Sequence, residues 1–185
     1  MALTKTPVCD FGKKAEDFKL KSIENKLVSL NDIKGGKATL IMFICNHCPY
    51  VKAIIKDLAK DCNELKKDGI NSVAIMSNDT KNYPEDSFEN MIKFANNNNF
   101  GEMNYLFDET QEIAKKYGAV CTPDFFGYNK DLSLQYRGRF RELKDLKPIN
   151  NGDSDLKKAM KIVAQTQKGP DQQIPSMGCN IKWFN

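Results

Sequence analysis

The sequence predicts an α/β domain with a central mixed sheet flanked by helices. Ala38 to Ile44 is an unbroken apolar run of strand formers, Ile70 to Met76 is a second, and apolar residues between them recur at helical spacing. Continuous apolar runs suit strands buried on both faces, as in a parallel sheet covered by helices. A strand, helix and strand in this order form a right-handed crossover, so the two strands are expected to be parallel. Alternating segments near both ends of the chain add antiparallel hairpins.

The elements follow in chain order. After a polar lead-in, Asp17 to Leu20 and Lys26 to Leu30 alternate around Glu24-Asn25 and read as a hairpin. Beyond the first buried strand, Val51, Ile54, Ile55, Leu58, Cys62 and Leu65 mark the inner face of a helix. Lys52, Lys56, Asp57, Lys60, Asp61 and Glu64 lie mostly on the other face, and Gly69 ends it. Pro84-Glu85-Asp86-Ser87 starts a second helix with Phe88, Met91, Ile92 and Ala95 inside, running to the asparagines at 96–99. Tyr105 to Phe107 reads as a short strand, and Asp108 to Gln111 resembles a capping box for a helix ending at Tyr117-Gly118. Asp124 to Tyr128 and Leu132 to Tyr136 form a second hairpin. A last amphipathic helix begins near Asp153-Ser154 and carries Leu156, Ala159, Met160, Val163 and Ala164. The tail after Gly169-Pro170 has no period, but Ile174, Met177, Cys179, Ile181, Trp183 and Phe184 suggest that it packs back on the domain. The expected organisation is one domain over residues 8–168 and a tail over 169–185.

Composition bounds the function. The chain has 185 residues, 41% hydrophobic and 28% charged, which is the balance of a globular domain and not of a disordered chain. Its 28 Lys and Arg interleave with 24 Asp and Glu for a net charge of +4, so no basic tract points to nucleic acid or a membrane surface. The longest apolar run is too short to span a bilayer, and the N-terminal sequence lacks the features of an export signal. The expected compartment is the cytoplasm. In that setting most of the six cysteines should be reduced thiols, and no cofactor is expected.

The exception is Cys45-Asn46-His47-Cys48, at the junction of a buried strand and a helix. A helix N-terminus offers unpaired amide donors and a partial positive charge, both of which stabilise a thiolate. Cys-x-x-Cys spacing there can lower one thiol's pKa to roughly 3.5–7.5, and the second thiol resolves a mixed disulfide from within. His47, the only histidine, would add positive charge beside the sulfurs when protonated and so tune the pair. A structural zinc site needs four ligands, and the chain has no second ligand pair, so no metal is expected.

Strand, Cys-x-x-Cys, helix and strand, followed by Cys121-Thr122-Pro123 and a hairpin, resemble the thioredoxin fold. Phe43 to Lys52 (FICNHCPYVK), Cys121 to Phe126 (CTPDFF) and Ser176 to Trp183 (SMGCNIKW) are similar to a thioredoxin-like subfamily grouped with the alkyl hydroperoxide reductase and thiol-specific antioxidant, or redoxin, proteins. The resemblance implies a thioredoxin fold with an extra N-terminal hairpin, an inserted strand and helix, and thiol redox activity. It also implies that Pro123 is cis and faces the cysteine pair, with Thr122 and Pro123 shaping the substrate edge. Thioredoxin usage makes Cys45 the attacking thiol. Pro49, however, suits the first helical position, which makes Cys48 the N-cap and the thiol nearest the dipole.

Two departures matter. Thr39 stands where thioredoxin has a buried Asp, and the only arginines near the peroxiredoxin position, Arg137 and Arg139, are displaced by more than ten residues. The first reading is therefore a thiol–disulfide oxidoreductase acting on protein or small-molecule disulfides, with a thiol reductant to restore it. The alternative is a thiol peroxidase in which Cys48 attacks a hydroperoxide and Cys45 resolves it. A copper(I)-binding module is a third reading, held back by the lack of a downstream histidine. Cys62 and Cys121 read as packing residues, Cys9 has no evident partner, and Cys179 is either a docked packing residue or an additional resolving thiol.

Overall fold

The computed structural model describes residues 3–184. Strands β1 (Leu3–Lys5), β2 (Lys19–Ser22) and β3 (Leu27–Ser29) precede the short helix α1 (Leu30–Ile33). Then come β4 (Ala38–Phe43), the long helix α2 (Pro49–Lys67) and β5 (Ile70–Met76). Helix α3 (Phe88–Asn97), β6 (Asn104–Phe107), α4 (Glu112–Tyr117), β7 (Cys121–Thr122), β8 (Asp124–Asn129) and β9 (Leu134–Tyr136) follow. The small hairpin β10 (Leu143–Lys144) and β11 (Lys147–Pro148), helix α5 (Asp155–Thr166) and β12 (Met177–Asn180) complete the chain.

Seven strands form the central sheet in the order β3-β2-β6-β5-β4-β8-β9. Strand β4 lies inside the sheet, parallel to β5 and antiparallel to β8, and all six of its residues are buried. Successive side chains of a strand face opposite ways, and the core divides accordingly. Ala38, Leu40 and Met42 join Leu58 and Leu65 of α2 and Met160 of α5 on one face. Ile41 and Phe43 join Ile33 of α1 and Tyr117 of α4 on the other. The expected crossover, both hairpins and the helix over 49–67 are all present. Gly69 takes a φ of 80° after α2, a left-handed conformation open to glycine.

Several expectations need correction. The polar lead-in contains β1, and the tail contains β12; neither shows alternation because each gains its order from pairing rather than from a buried face. Strand β12 lies between β1 and β7 in a separate three-stranded sheet. Pro84 begins a 3-10 turn over Pro84–Asp86, and α3 starts only after Ser87, whose hydroxyl accepts from Asn90 N. Asp108 to Gln111 is not a capping box. The Asp108 carboxylate accepts from the amides of Ile113 and Ala114, while Gln111 donates to the carbonyls of Ser77 and Lys182. Asp61, expected on the solvated face of α2, is buried against α5, where its carboxylate accepts from the Ser154 hydroxyl at 2.7 Å.

Candidate active site

Strand β4 delivers the Cys-x-x-Cys segment to the start of α2, and Pro49 occupies the first turn of that helix. Cys48 is therefore the N-cap, as the proline placement predicts. Both sulfurs meet Thr122: the Cys45 Sγ lies 3.3 Å from its hydroxyl, and the Cys48 thiol donates to its carbonyl at 3.2 Å. The Thr122–Pro123 bond is cis. Cys45, Cys48, Thr122 and Pro123, drawn from distant parts of the sequence, thus form one cluster.

The two residues between the cysteines are anchored by Asp86, which lies in the 3-10 turn and is fully buried. One carboxylate oxygen accepts from the amides of Asn46 at 2.8 Å and His47 at 3.3 Å. The other accepts from Asn78 Nδ2 at 2.8 Å and meets His47 Nδ1 at 2.6 Å. Asn46 is held as well by the Tyr105 hydroxyl and the Glu85 carbonyl. The His47 ring stacks on Tyr83 with centroids 5.6 Å apart, and its Nε2 is buried with no hydrogen-bond partner among the described residues. Sequence reasoning missed Asp86, Asn78 and Tyr105. Asp86 lies 40 residues from Asn46 and reads locally as an ordinary acid near a helix start.

The surroundings polarise the cysteines in opposite directions. The Cys48 pKa is lowered to about 5, chiefly by the neighbouring Cys45 thiol acting as donor, and further by the Cys179 thiol and the amide groups of Val51 and Cys179; burial opposes this. Cys45 is pushed well up, by donating toward Cys48 and then by burial. His47 is raised by its hydrogen bond to Asp86, against its burial, so the protonated ring is favoured. Cys48, and not the Cys45 of thioredoxin usage, carries the lowered pKa of the pair.

Among the described residues, Cys45, His47 and Asp86 bring possible ligand atoms within 4.8 Å of one another. Asp86 already accepts four hydrogen bonds, two at each oxygen, which leaves little carboxylate capacity for an ion. Cys121 is buried with its sulfur 3.5 Å from the Pro123 carbonyl, and burial raises its pKa. Cys62 faces the core from α2, and its thiol is pushed up to about 12. Thr39 accepts from Gly35 N at 3.0 Å, a structural role away from the sulfurs. Arg137 pairs with Asp124 at 2.9 Å and donates to the Gly118 carbonyl, and Arg139 pairs with Asp155 and Glu142, so both guanidinium groups are engaged by carboxylates. A groove of about 510 Å³ opens beside the site between Tyr50, Ile54, Pro123, Ser176 and Met177.

Fold and site define the class: thioredoxin-fold redoxin proteins with a Cys-x-x-Cys pair at a helix N-terminus. The chain belongs to the AhpC/TSA family, whose family model matches residues 11–140. It is similar over 100% of its length to an uncharacterized conserved protein from Geobacillus kaustophilus, at 40% identity, with 97% of that chain covered and a TM-score of 0.94. A hypothetical protein from Sinorhizobium meliloti 1021 matches at 37% identity over 98% of each chain, with a TM-score of 0.89. The thioredoxin domain of a thiol-disulfide oxidoreductase from Bacteroides vulgatus shares the fold at 19% identity and a TM-score of 0.58, covering 69% of this chain and 86% of that one. Comparison with curated proteins found no match.

Proposed function

We propose that the protein reduces disulfides, with Cys48 as the attacking thiolate and Cys45 as the resolving thiol. The observation that carries this reading is the Cys48 sulfur at the N-cap of α2, gathered with the Cys45 sulfur around Thr122. The Cys48 thiolate attacks one sulfur of a substrate disulfide and expels the other as a thiolate, which takes up a proton. Cys45 then loses its proton and attacks Cys48, releasing the second substrate thiol and leaving Cys45–Cys48 oxidised. Two electrons pass from the protein to the substrate, and a thiol reductant restores the dithiol. Protonated His47, held by Asp86, supplies positive charge beside the sulfurs and favours their thiolate forms. An extended protein or small-molecule disulfide would dock along the groove at Tyr50 and Pro123 and reach the buried sulfurs when β12, whose Met177 lines that groove, lifts. Cytoplasmic placement fits this cycle, because thiol reductants there return the pair to its reduced state.

The engagement of Arg137 with Asp124 argues against the peroxidase reading, since that cation is not available to Cys48. The deciding experiment compares pre-reduced protein on a protein disulfide and on a hydroperoxide. Disulfide reduction lost in Cys48→Ser, with hydroperoxide consumed no faster than by a free thiol, is the expected result. Rapid hydroperoxide consumption lost only in Cys48→Ser would overturn it in favour of a peroxidase.

A further inference from the structure

The Cys179 sulfur lies 2.9 Å from that of Cys48, closer than the 3.2 Å from Cys48 to the Thr122 carbonyl. Backbone pairing enforces this approach. Cys179 sits opposite Thr122 on β7 and opposite Leu3 on β1, so β12 is held in register from both sides. The preceding Gly178 lets the strand come close, because a Cβ there would stand 2.0 Å from the Thr122 carbonyl oxygen. Thr122 therefore organises three sulfurs: its hydroxyl meets Cys45, its carbonyl meets Cys48, and its strand partner is Cys179. Packing alone would bury Cys179 without aiming its sulfur at Cys48.

We propose that Cys179 is a third redox thiol of the site, forming with Cys48 a disulfide that alternates with Cys45–Cys48. The inference rests on the oxidoreductase reading above and extends it. After Cys48 has attacked a substrate disulfide, the Cys179 thiolate attacks the Cys48 sulfur of the mixed disulfide. The substrate thiolate leaves, and the proton given up by Cys179 goes to it. Cys45 then attacks Cys48 in the Cys48–Cys179 disulfide, which forms Cys45–Cys48 and returns Cys179 to the thiol. Each exchange breaks one disulfide and forms one, so no further oxidant is consumed.

Trypsin separates the alternatives: residues 38–52 carry both Cys45 and Cys48, whereas residues 169–182 carry only Cys179. Pre-reduced protein is titrated with oxidised glutathione, quenched with an alkylating agent, digested and mapped by mass spectrometry. The expected result is a crosslink between 38–52 and 169–182 in the wild type. It should become the sole internal disulfide in Cys45→Ser and vanish in Cys179→Ser, with circular dichroism confirming that both variants are folded. If the wild type forms only the disulfide within 38–52, and Cys45→Ser stops at a glutathione adduct with Cys179 free, the third-thiol role fails while the oxidoreductase reading stands. If no internal disulfide forms in any of the proteins, both fail. The wild-type map decides the question even if a variant does not fold.

Discussion

At Cys48, a low thiol pKa and burial coexist because thiol donors, Cys45 and Cys179, and two backbone amides lie beside the sulfur, along with the accepting Thr122 carbonyl. The ultraviolet thiolate absorbance of the reduced protein should therefore titrate near pH 5 rather than near 9. Replacing Cys45 with Ala removes the largest of those donors, so the midpoint should move upward; an unchanged midpoint would show that the N-cap position alone sets it. His47 gives an independent reading, being the chain's only histidine and hence a single NMR signal. Its midpoint should lie above the ordinary 6.5 and fall in Asp86→Asn. Since folding raises this pKa, the Asp86–His47 interaction stabilises the fold fully below pH 6.5 and fades as pH rises through the elevated folded value. Asp86→Asn also turns an amide N–H₂ toward buried donors, and should cost about 1–3 kcal/mol in urea denaturation.

Among the elements, β12 and α5 depend on single residues. Gly178→Ala drives a methyl group into the Thr122 carbonyl, so β12 should separate from β7. The prediction is faster alkylation of Cys48 and Cys179 with little change in helix content by circular dichroism. Ser154 caps α5 through Lys157 N and also donates to Asp61 on α2. Ser154→Ala should therefore cost about 2 kcal/mol, more than an isolated cap, in chemical denaturation. These elements also show what the sequence discloses. Strand β4, α2 and both hairpins were legible because burial on fixed faces prints a period into the chain. Strands β1 and β12 were not, because their order comes from backbone pairing with distant segments. The Cys45–Cys48 pair was legible from its spacing and Pro49, and Thr122 and Pro123 from family resemblance. Asp86 was silent, since one acid in a polar turn carries no pattern until the fold brings it under Asn46 and His47.

For the whole molecule, the two core layers meet at the central sheet, and the Asp124–Arg137 pair is sealed within one end of it. Arg137 also lies 4.4 Å from the centre of the Phe126 ring. Arg137→Met leaves the Asp124 carboxylate buried without its partner and should cost about 3–5 kcal/mol in chemical denaturation. Burial already raises the Asp124 pKa, and loss of Arg137 raises it further. The deficit should therefore be smallest in acid, where the carboxyl is neutral in both folded proteins, and grow as pH rises from the wild-type folded value toward the still higher value of the variant. A deficit independent of pH would locate the damage in packing instead.

Cys45 and Cys48 are only 1% and 0% exposed, and β12 is the strand laid against them. A large partner protein thus meets the reactive sulfurs only in those molecules whose last strand has momentarily lifted. Its observed rate is the intrinsic chemical rate multiplied by that open fraction. Low concentrations of urea should consequently speed the reaction with a protein disulfide before higher concentrations abolish it, giving the enzyme a denaturant optimum well below its unfolding midpoint.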